Sequence, residues 1–218
     1  MEARIKVLRE ARLDLKYLLN RGYRKSSALK LVGDKYQLNR AERSILFRSV
    51  LSDDEASVIR SKMASLEDLK GEELWIDGFN VLNTIETVLR GEVLVLCDDG
   101  VLRDFSEIHS KYRLSDLTGK ALEEITSLLR KAETGYVVFL FESQISRSGE
   151  IAALARKILE AEKVPGEART TKSVDSALIK SGKLVASSDS TILLKCKRFI
   201  DLARYLDALD ESKIISLA

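Results

Sequence analysis

Short apolar runs alternate with amphipathic stretches from Glu73 onward, and this alternation constrains the fold more than any other feature. The runs predict buried strands at residues 74–76, 93–97, 136–141, 184–186 and 214–215. An Asp-Gly pair after the second run favours a tight turn, so residues 101–102 are expected to return as a hairpin strand. The stretches between the runs predict helices, and a further helix is predicted for residues 198–208. Strands that alternate with helices are typical of an α/β fold, with a mainly parallel sheet flanked by helices on both faces.

The first 50 residues differ from the rest of the chain in charge. They carry 13 lysines and arginines against 5 acidic residues, whereas the remaining residues carry 23 against 29. Their apolar residues recur at helical spacing and are interrupted at two glycines, which predicts three short helices in a small helix-turn-helix-like unit. Residues 52–70 predict a connecting helix. We therefore expect a small all-α domain over residues 1–70 and an α/β domain over residues 71–218.

The basic helices have two interpretations. A cluster of positive charge suits a polyanion, and we expect RNA as the partner, held mainly through its phosphate backbone. The expected phosphate contacts are Arg24, Lys25, Arg40 and Arg43. The alternative is a docking arm that packs on the second domain, on another copy of the chain or on a protein partner.

Composition limits the kinds of metal site that the chain can form and the cellular compartment in which it is expected. The chain has two cysteines and one histidine, which exclude a disulfide scaffold, a cysteine-built zinc site and a histidine-rich metal centre. A metal would have to be held by carboxylates, which suit a hard cation such as Mg²⁺ or Mn²⁺. The N-terminus is charged throughout, and no apolar run approaches the ~20 residues of a membrane span. We therefore expect a cytoplasmic protein without membrane contacts.

Acidic residues follow several of the predicted strands. Asp77, Asp98 and Asp189 come at or shortly after the ends of apolar runs, and Asp175 begins a short predicted helix. Ligands of open α/β sheets bind outside the carboxyl ends of the strands, so these side chains are expected to converge. Neighbouring carboxylates repel one another, and a divalent cation would relieve that repulsion and could activate a water. The alternative for each aspartate alone is a turn or helix cap.

Three segments resemble motifs of the NYN branch of PIN-like ribonucleases. The segment WIDGFNV (75–81) resembles the first-strand motif, VDSALI (174–179) the later helix start, and LVASSDS (184–190) the final strand with its Ser/Thr-x-Asp ending. The resemblance covers residues ~72–218 and implies a PIN-like fold that hydrolyses RNA phosphodiesters in a metal-dependent reaction. A PIN-like domain that has lost its activity and only binds RNA is an alternative, and a protein-interaction or regulatory module is another.

The resemblance also implies roles for particular residues. Asp77, Asp175 and Asp189 would bind Mg²⁺ or Mn²⁺, and Asn80 would orient Asp77 or a water. Ser187 or Ser188 would hydrogen-bond a carboxylate or a phosphate. Such sites usually contain one more acid, for which Glu86 and the pair Asp98 and Asp99 are candidates, and we favour the pair because it closes a predicted strand.

Two polar loops add candidate substrate contacts. Residues 98–113 combine Arg103, His109 and Arg113 with several acids, which suggests an active-site insertion. Arg147, between two serines before a predicted helix, is a plausible phosphate clamp, although the serines could simply cap the helix. The whole chain also resembles a mostly archaeal domain-of-unknown-function family, number 434, on the strength of residues 18–50. This second resemblance implies no activity.

Overall fold

A computed structural model describes residues 2–105 and 115–217 of the chain. Its helices are α1 (Glu2–Asn20), α2 (Lys25–Lys35), α3 (Arg40–Ser49), α4 (Asp53–Ser61), α5 (Gly78–Leu89), α6 (Thr118–Lys131), α7 (Ser148–Ala161), α8 (Val174–Ser181) and α9 (Ser190–Lys195). Its strands are β1 (Glu73–Asp77), β2 (Leu94–Leu96), β3 (Leu102–Arg103), β4 (Tyr136–Glu142), β5 (Gly166–Thr171), β6 (Leu184–Ala186), β7 (Arg198–Ile200) and β8 (Ile214–Ser216). No helix within these ranges has the length and apolar character needed to cross a membrane.

The main sheet of the described chain has five strands in the order β5-β4-β1-β6-β7, and every pairing in it is parallel. This confirms the expectation of a mainly parallel α/β sheet. After β1, the chain builds first on one side of that strand through β4 and β5, and then on the other side through β6 and β7. The carboxyl end of β1 therefore lies at the point where the strand order reverses, which is where open α/β sheets bind their ligands.

Side chains that alternate along the strands divide the core between the two faces of the sheet. Leu74, Ile76 and Phe139 contribute to a cluster with α5, α6 and α7. Val138 and Leu140 point to the opposite face, where they pack with α4, α8 and α9. A side-chain period of two makes this division unavoidable in a strand covered on both sides. The helices consequently fix both sides of β1.

A second sheet joins the N-terminal helices to the rest of the molecule. Strand β2 pairs antiparallel with β3, as the hairpin prediction requires, and parallel with β8. The buried residues of α1–α3 share one cluster with Val95, Cys97 and Leu217 from this sheet region. Helix α4 instead covers the main sheet. The helices of residues 1–70 therefore bury their apolar faces against the α/β part rather than only against one another.

Capping residues in the sequence account for where two of the helices begin. Asn39 and Glu42 form a reciprocal capping box at the start of α3, and Ser52 and Glu55 do the same for α4.

The helix predicted for residues 198–208 is wrong, because residues 198–200 form β7 beside β6 and only a short 3-10 turn follows. Strand β5 was absent from the sequence-based expectation, since it is a largely polar strand at the edge of the sheet.

Candidate active site

Asp77 stands at the junction between β1 and α5, at the reversal point of the sheet. It is the last residue of β1 and the N-cap of α5, and its side chain accepts a hydrogen bond from Ser187 Oγ at 2.9 Å. Gly78 allows the helix to begin at once, because a Cβ there would lie 2.3 Å from the Phe141 ring and 2.8 Å from the Leu140 carbonyl oxygen. The packing of α5 against β4 thus fixes where the Asp77 carboxylate emerges.

Asn80 ties α5 to the loop that follows β6. Its Oδ1 accepts hydrogen bonds from the backbone N–H of Ser188 at 2.7 Å and from Ser188 Oγ at 3.0 Å, and Ser187 Oγ lies 3.4 Å away. Ser187 also accepts from the backbone N–H of Asp189 at 3.1 Å. The sequence-predicted residues Asp77, Asn80, Ser187 and Ser188 therefore form one connected network across two strands.

The surroundings of Asp77 disfavour the ionised form of its side chain. Burial raises the pKa of this carboxyl to about 7. The hydrogen bond from Ser187 opposes the rise, while repulsion from Asp175, Asp189 and Glu142 adds to it. The three aspartates that the sequence analysis selected as metal ligands thus interact electrostatically, although Asp175 and Asp189 lie about a hundred residues from Asp77 along the chain.

Glu142 is a member of this acidic group that the sequence analysis missed. It is the last residue of β4, the neighbour of β1, and it is half-buried. Burial and the charge of Asp175 raise its pKa. The signal was present in the sequence, since Glu142 follows directly on the apolar run 136–141, the same placement that singled out Asp77. We call Asp77, Glu142, Asp175 and Asp189 the acidic edge.

Asp98 and Asp99 have their charges matched elsewhere. The Asp98 carboxylate pairs with Arg12 at 2.7 Å and with Lys16 at 3.5 Å, which joins β2 to α1. Asp99 is fully buried, and its carboxylate accepts hydrogen bonds from both terminal nitrogens of Arg103 at 2.8 and 2.6 Å. Glu86 accepts hydrogen bonds from Ser115 and Thr118. The contacts of these three carboxylates are thus with cations and hydroxyl groups of other elements.

Some of the predicted substrate-binding residues are engaged in contacts within the protein, and others are exposed. Arg103 is buried and donates to the backbone carbonyl of Ser188 at 2.6 Å, so it positions the loop after β6. Arg43 is held by Asp34 and the Leu38 carbonyl, and Arg147 by Glu150. Arg24 and Arg40 are exposed, whereas Lys25 is half-buried with its ammonium 5.1 Å from the Phe47 ring centroid. His109 and Arg113 lie outside the described residues.

The acidic edge contains oxygen ligands suited to a hard cation, but these ligands are not grouped around one point. Its four carboxylates supply the oxygen ligands that Mg²⁺ and Mn²⁺ prefer, and their mutual repulsion is what a cation would relieve. Within residues 2–105 and 115–217, however, no three His, Cys, Asp or Glu side chains are grouped to hold one ion. Asp189 instead caps α9 by accepting from the backbone N–H of Thr191 at 2.6 Å. The donor chemistry fits a divalent cation, and binding would require these carboxylates to draw together.

An open cavity of about 340 Å³ lies beside the acidic edge. One wall comes from α3 and the other from α5 and the loop after β6. Its lining residues are Ser44, Phe47, Arg48, Asn80, Arg103, Ser188, Asp189, Ser190 and Thr191. The N-terminal helices therefore contribute directly to the surroundings of the site.

Comparisons with known proteins identify relatives along most of the chain. Residues 66–205 match the family model described as "Domain of unknown function (DUF5616)", and residues 7–62 match "Protein of unknown function (DUF434)". The second match confirms the resemblance to family 434 for the N-terminal part. An uncharacterized protein of Methanocaldococcus jannaschii is 37% identical over 186 residues, which cover 85% of this chain and 88% of that protein. No solved structure matches the chain.

Proposed function

The chain belongs to the DUF5616 family, and from the geometry of the acidic edge we propose that it is a metal-dependent ribonuclease with a PIN-like domain. The observation that carries this proposal is the position of Asp77 at the reversal point of a parallel sheet, hydrogen-bonded to Ser187 and within electrostatic reach of Asp175 and Asp189. These are the residues that the resemblance to NYN-type ribonucleases assigns to the metal. Carboxylates gathered at the carboxyl ends of parallel strands suit binding of a cation and a phosphodiester together.

Each residue of the network has a role in this proposal. Asp77, Asp175 and Asp189 would hold Mg²⁺ or Mn²⁺, with Glu142 as the fourth acid. The cation, when bound, supplies a Lewis acid that activates water and offsets charge on the phosphate. Ser187 orients the Asp77 carboxylate through its hydrogen bond. Asn80 fixes the loop that carries Asp189 through its contacts with Ser188.

The basic N-terminal helices supply the RNA-binding part of the proposal. Helix α3 lines the cavity beside the acidic edge, so RNA held on these helices would pass close to the carboxylates. Arg24 and Arg40 are exposed and suit contacts to phosphates, while Lys25 lies next to the cavity residue Phe47. Arg43 is already engaged within the helices and would act by supporting them.

Replacement of Asp77 by Asn should lower the rate of RNA cleavage by about a hundredfold, because it removes a charge from the metal-binding group. The measurement is cleavage of labelled single-stranded and structured RNAs in Mn²⁺ or Mg²⁺. Asp207→Asn is the control, since that carboxylate is 91% exposed on another surface and should leave the rate unchanged. Equal cleavage by wild type and Asp77→Asn, or no cleavage of any RNA, would contradict the proposal.

Addition of Mn²⁺ or Mg²⁺ should raise the thermal unfolding midpoint of the wild-type protein by about 5 °C at a tenfold excess over the Kd, since a ligand of the folded state stabilises it. The Asp77→Asn variant should show a much smaller shift. Differential scanning fluorimetry at constant ionic strength measures both. Equal shifts in the two proteins would indicate that the cations bind elsewhere.

A second candidate is an RNA-binding factor that does not cleave. The observation that favours it is that no three acidic side chains of the described chain are grouped around a common point. It predicts RNA binding that persists in a chelator and weakens as salt concentration rises. Binding without cleavage in every metal tested would favour this candidate over the ribonuclease.

A further inference from the structure

The cavity beside the acidic edge joins two parts of the molecule with different chemistry. Ser44, Phe47 and Arg48 of α3 form one wall, and Asn80 and Asp189 belong to the other. Asp189 is itself a member of the acidic edge, so the cavity begins where the carboxylates are. Its volume of about 340 Å³ lies at the lower end of the range for small-ligand sites.

Phe47 is the aromatic side chain of this cavity. It is 47% exposed, although it belongs to a helix whose other large apolar residues are partly or fully buried. The ammonium group of Lys25 lies 5.1 Å from the centroid of its ring. An aromatic ring has two faces, and a cation over one of them leaves the other for a flat ligand. A solvent-accessible phenylalanine in a cavity otherwise rich in polar groups suits a planar ring system.

Two cations near Phe47, Lys25 and Arg48, form no close ion pair in the described part of the chain. Within residues 2–105 and 115–217, neither Lys25 nor Arg48 makes an ion pair at 4.0 Å or less. Arg48 instead lies over the Phe105 ring, 5.6 Å from its centroid. Burial lowers the pKa of Lys25, and the more distant charges of Glu55 and Asp99 oppose that effect. The positive groups thus suit a phosphate.

We propose that this cavity binds one nucleotide of a single-stranded RNA, with the base on Phe47 and the phosphate between Lys25 and Arg48. The proposal rests on the proposed ribonuclease function and names the form of RNA that the site takes. Aromatic side chains stack on bases of single strands, whereas bases in a duplex are already stacked on one another. Asp189 also lines this cavity, so a nucleotide bound there would lie in the same cavity as a member of the acidic edge.

The test is a binding measurement that does not depend on cleavage. Fluorescence anisotropy of a short labelled single-stranded oligoribonucleotide in EDTA gives the Kd of each variant. Phe47→Ala should weaken binding about tenfold, within the range for loss of one base–aromatic stack. Phe47→Trp should retain the wild-type affinity. Tyr136→Ala is the matched control, because Tyr136 is 40% exposed at the opposite end of the sheet, at the start of β4, and its loss should leave the Kd unchanged.

The outcomes separate this proposal from the ribonuclease itself. Cleavage by the wild type together with an unchanged Kd for Phe47→Ala would overturn the nucleotide site and leave the ribonuclease standing. Weakened binding by Phe47→Ala without any cleavage would support the nucleotide site and count against the enzyme. Equal weakening for duplex and single-stranded RNA would overturn stacking on Phe47, as would a wild-type protein that binds no RNA. Circular dichroism of each variant checks that the fold is retained.

Discussion

Replacement of Arg103 by methionine should lower the free energy of unfolding by about 3–5 kcal/mol, the effect typical of breaking one partner of a buried ion pair. The Asp99 carboxylate is fully buried and receives two hydrogen bonds from Arg103, so the variant would leave its charge without the cation that offsets it. The same substitution removes the bond to the Ser188 carbonyl and so releases the loop after β6. Urea unfolding followed by circular dichroism measures the effect.

Two further variants identify the cause of that loss. Arg147→Met removes the same side chain from an exposed pair with Glu150 and should change the unfolding free energy by less than about 0.5 kcal/mol. The double variant Asp99→Leu, Arg103→Met should recover much of the loss, since it replaces the whole pair by apolar groups. A loss below about 1 kcal/mol for Arg103→Met would show that Asp99 and Arg103 do not depend on each other.

Asp77→Asn should stabilise the metal-free protein at pH 8 by about 3 kcal/mol more than it does at pH 4. The folded-state pKa of Asp77 is about 7, against an ordinary value of 3.8. A raised carboxyl pKa means that the stabilising contribution of the protonated form is present below pH 4 and is lost as the pH rises through 7. Each pKa unit corresponds to about 1.4 kcal/mol, and the partial exposure of Asp77 reduces the total somewhat.

The measurement is urea unfolding of the two proteins in EDTA at a series of pH values. The difference between them removes the contribution of groups away from the acidic edge, such as Asp201, whose raised pKa is set by burial and by its own neighbours in both proteins. Asp207→Asn serves again as the control for loss of a surface carboxylate. A difference between wild type and Asp77→Asn that stays constant from pH 4 to pH 8 would show that Asp77 is not under electrostatic strain.

The sequence was sufficient for the parts of the fold that carry strong hydrophobic signals. The runs at residues 74–76, 136–141 and 184–186 became the three central strands, β1, β4 and β6, because both their faces are buried. Edge strand β5 buries only Ala168 of its six residues and has no such signal. Residues 198–200 were predicted as helix, since pairing with β6 is a long-range contact that local spacing does not reveal.

The same limit applies to the site. The end of β1 and the loop after β6 were recognisable from WIDGFN and SSD, and hydrogen bonds of Ser187 and Ser188 join these two segments in the structure. Asp98 and Asp99 also follow an apolar run, yet their charges are taken by Arg12 and Arg103 from other elements. Strand order decides which acids meet, and it places Glu142, at the end of the strand next to β1, in the group instead.

The shared core of α1–α3 and the second sheet has a consequence for the order in which this protein can form during synthesis. Arg9 in α1 donates to the carbonyl of Ser216, which is 207 positions later along the chain, and Leu217 is buried among the residues of the same helices. A growing chain would have to hold its first three helices incompletely packed until these residues leave the ribosome. Closure over so long a loop is slow, so the N-terminal helices are the part most exposed to misassembly before the molecule is finished.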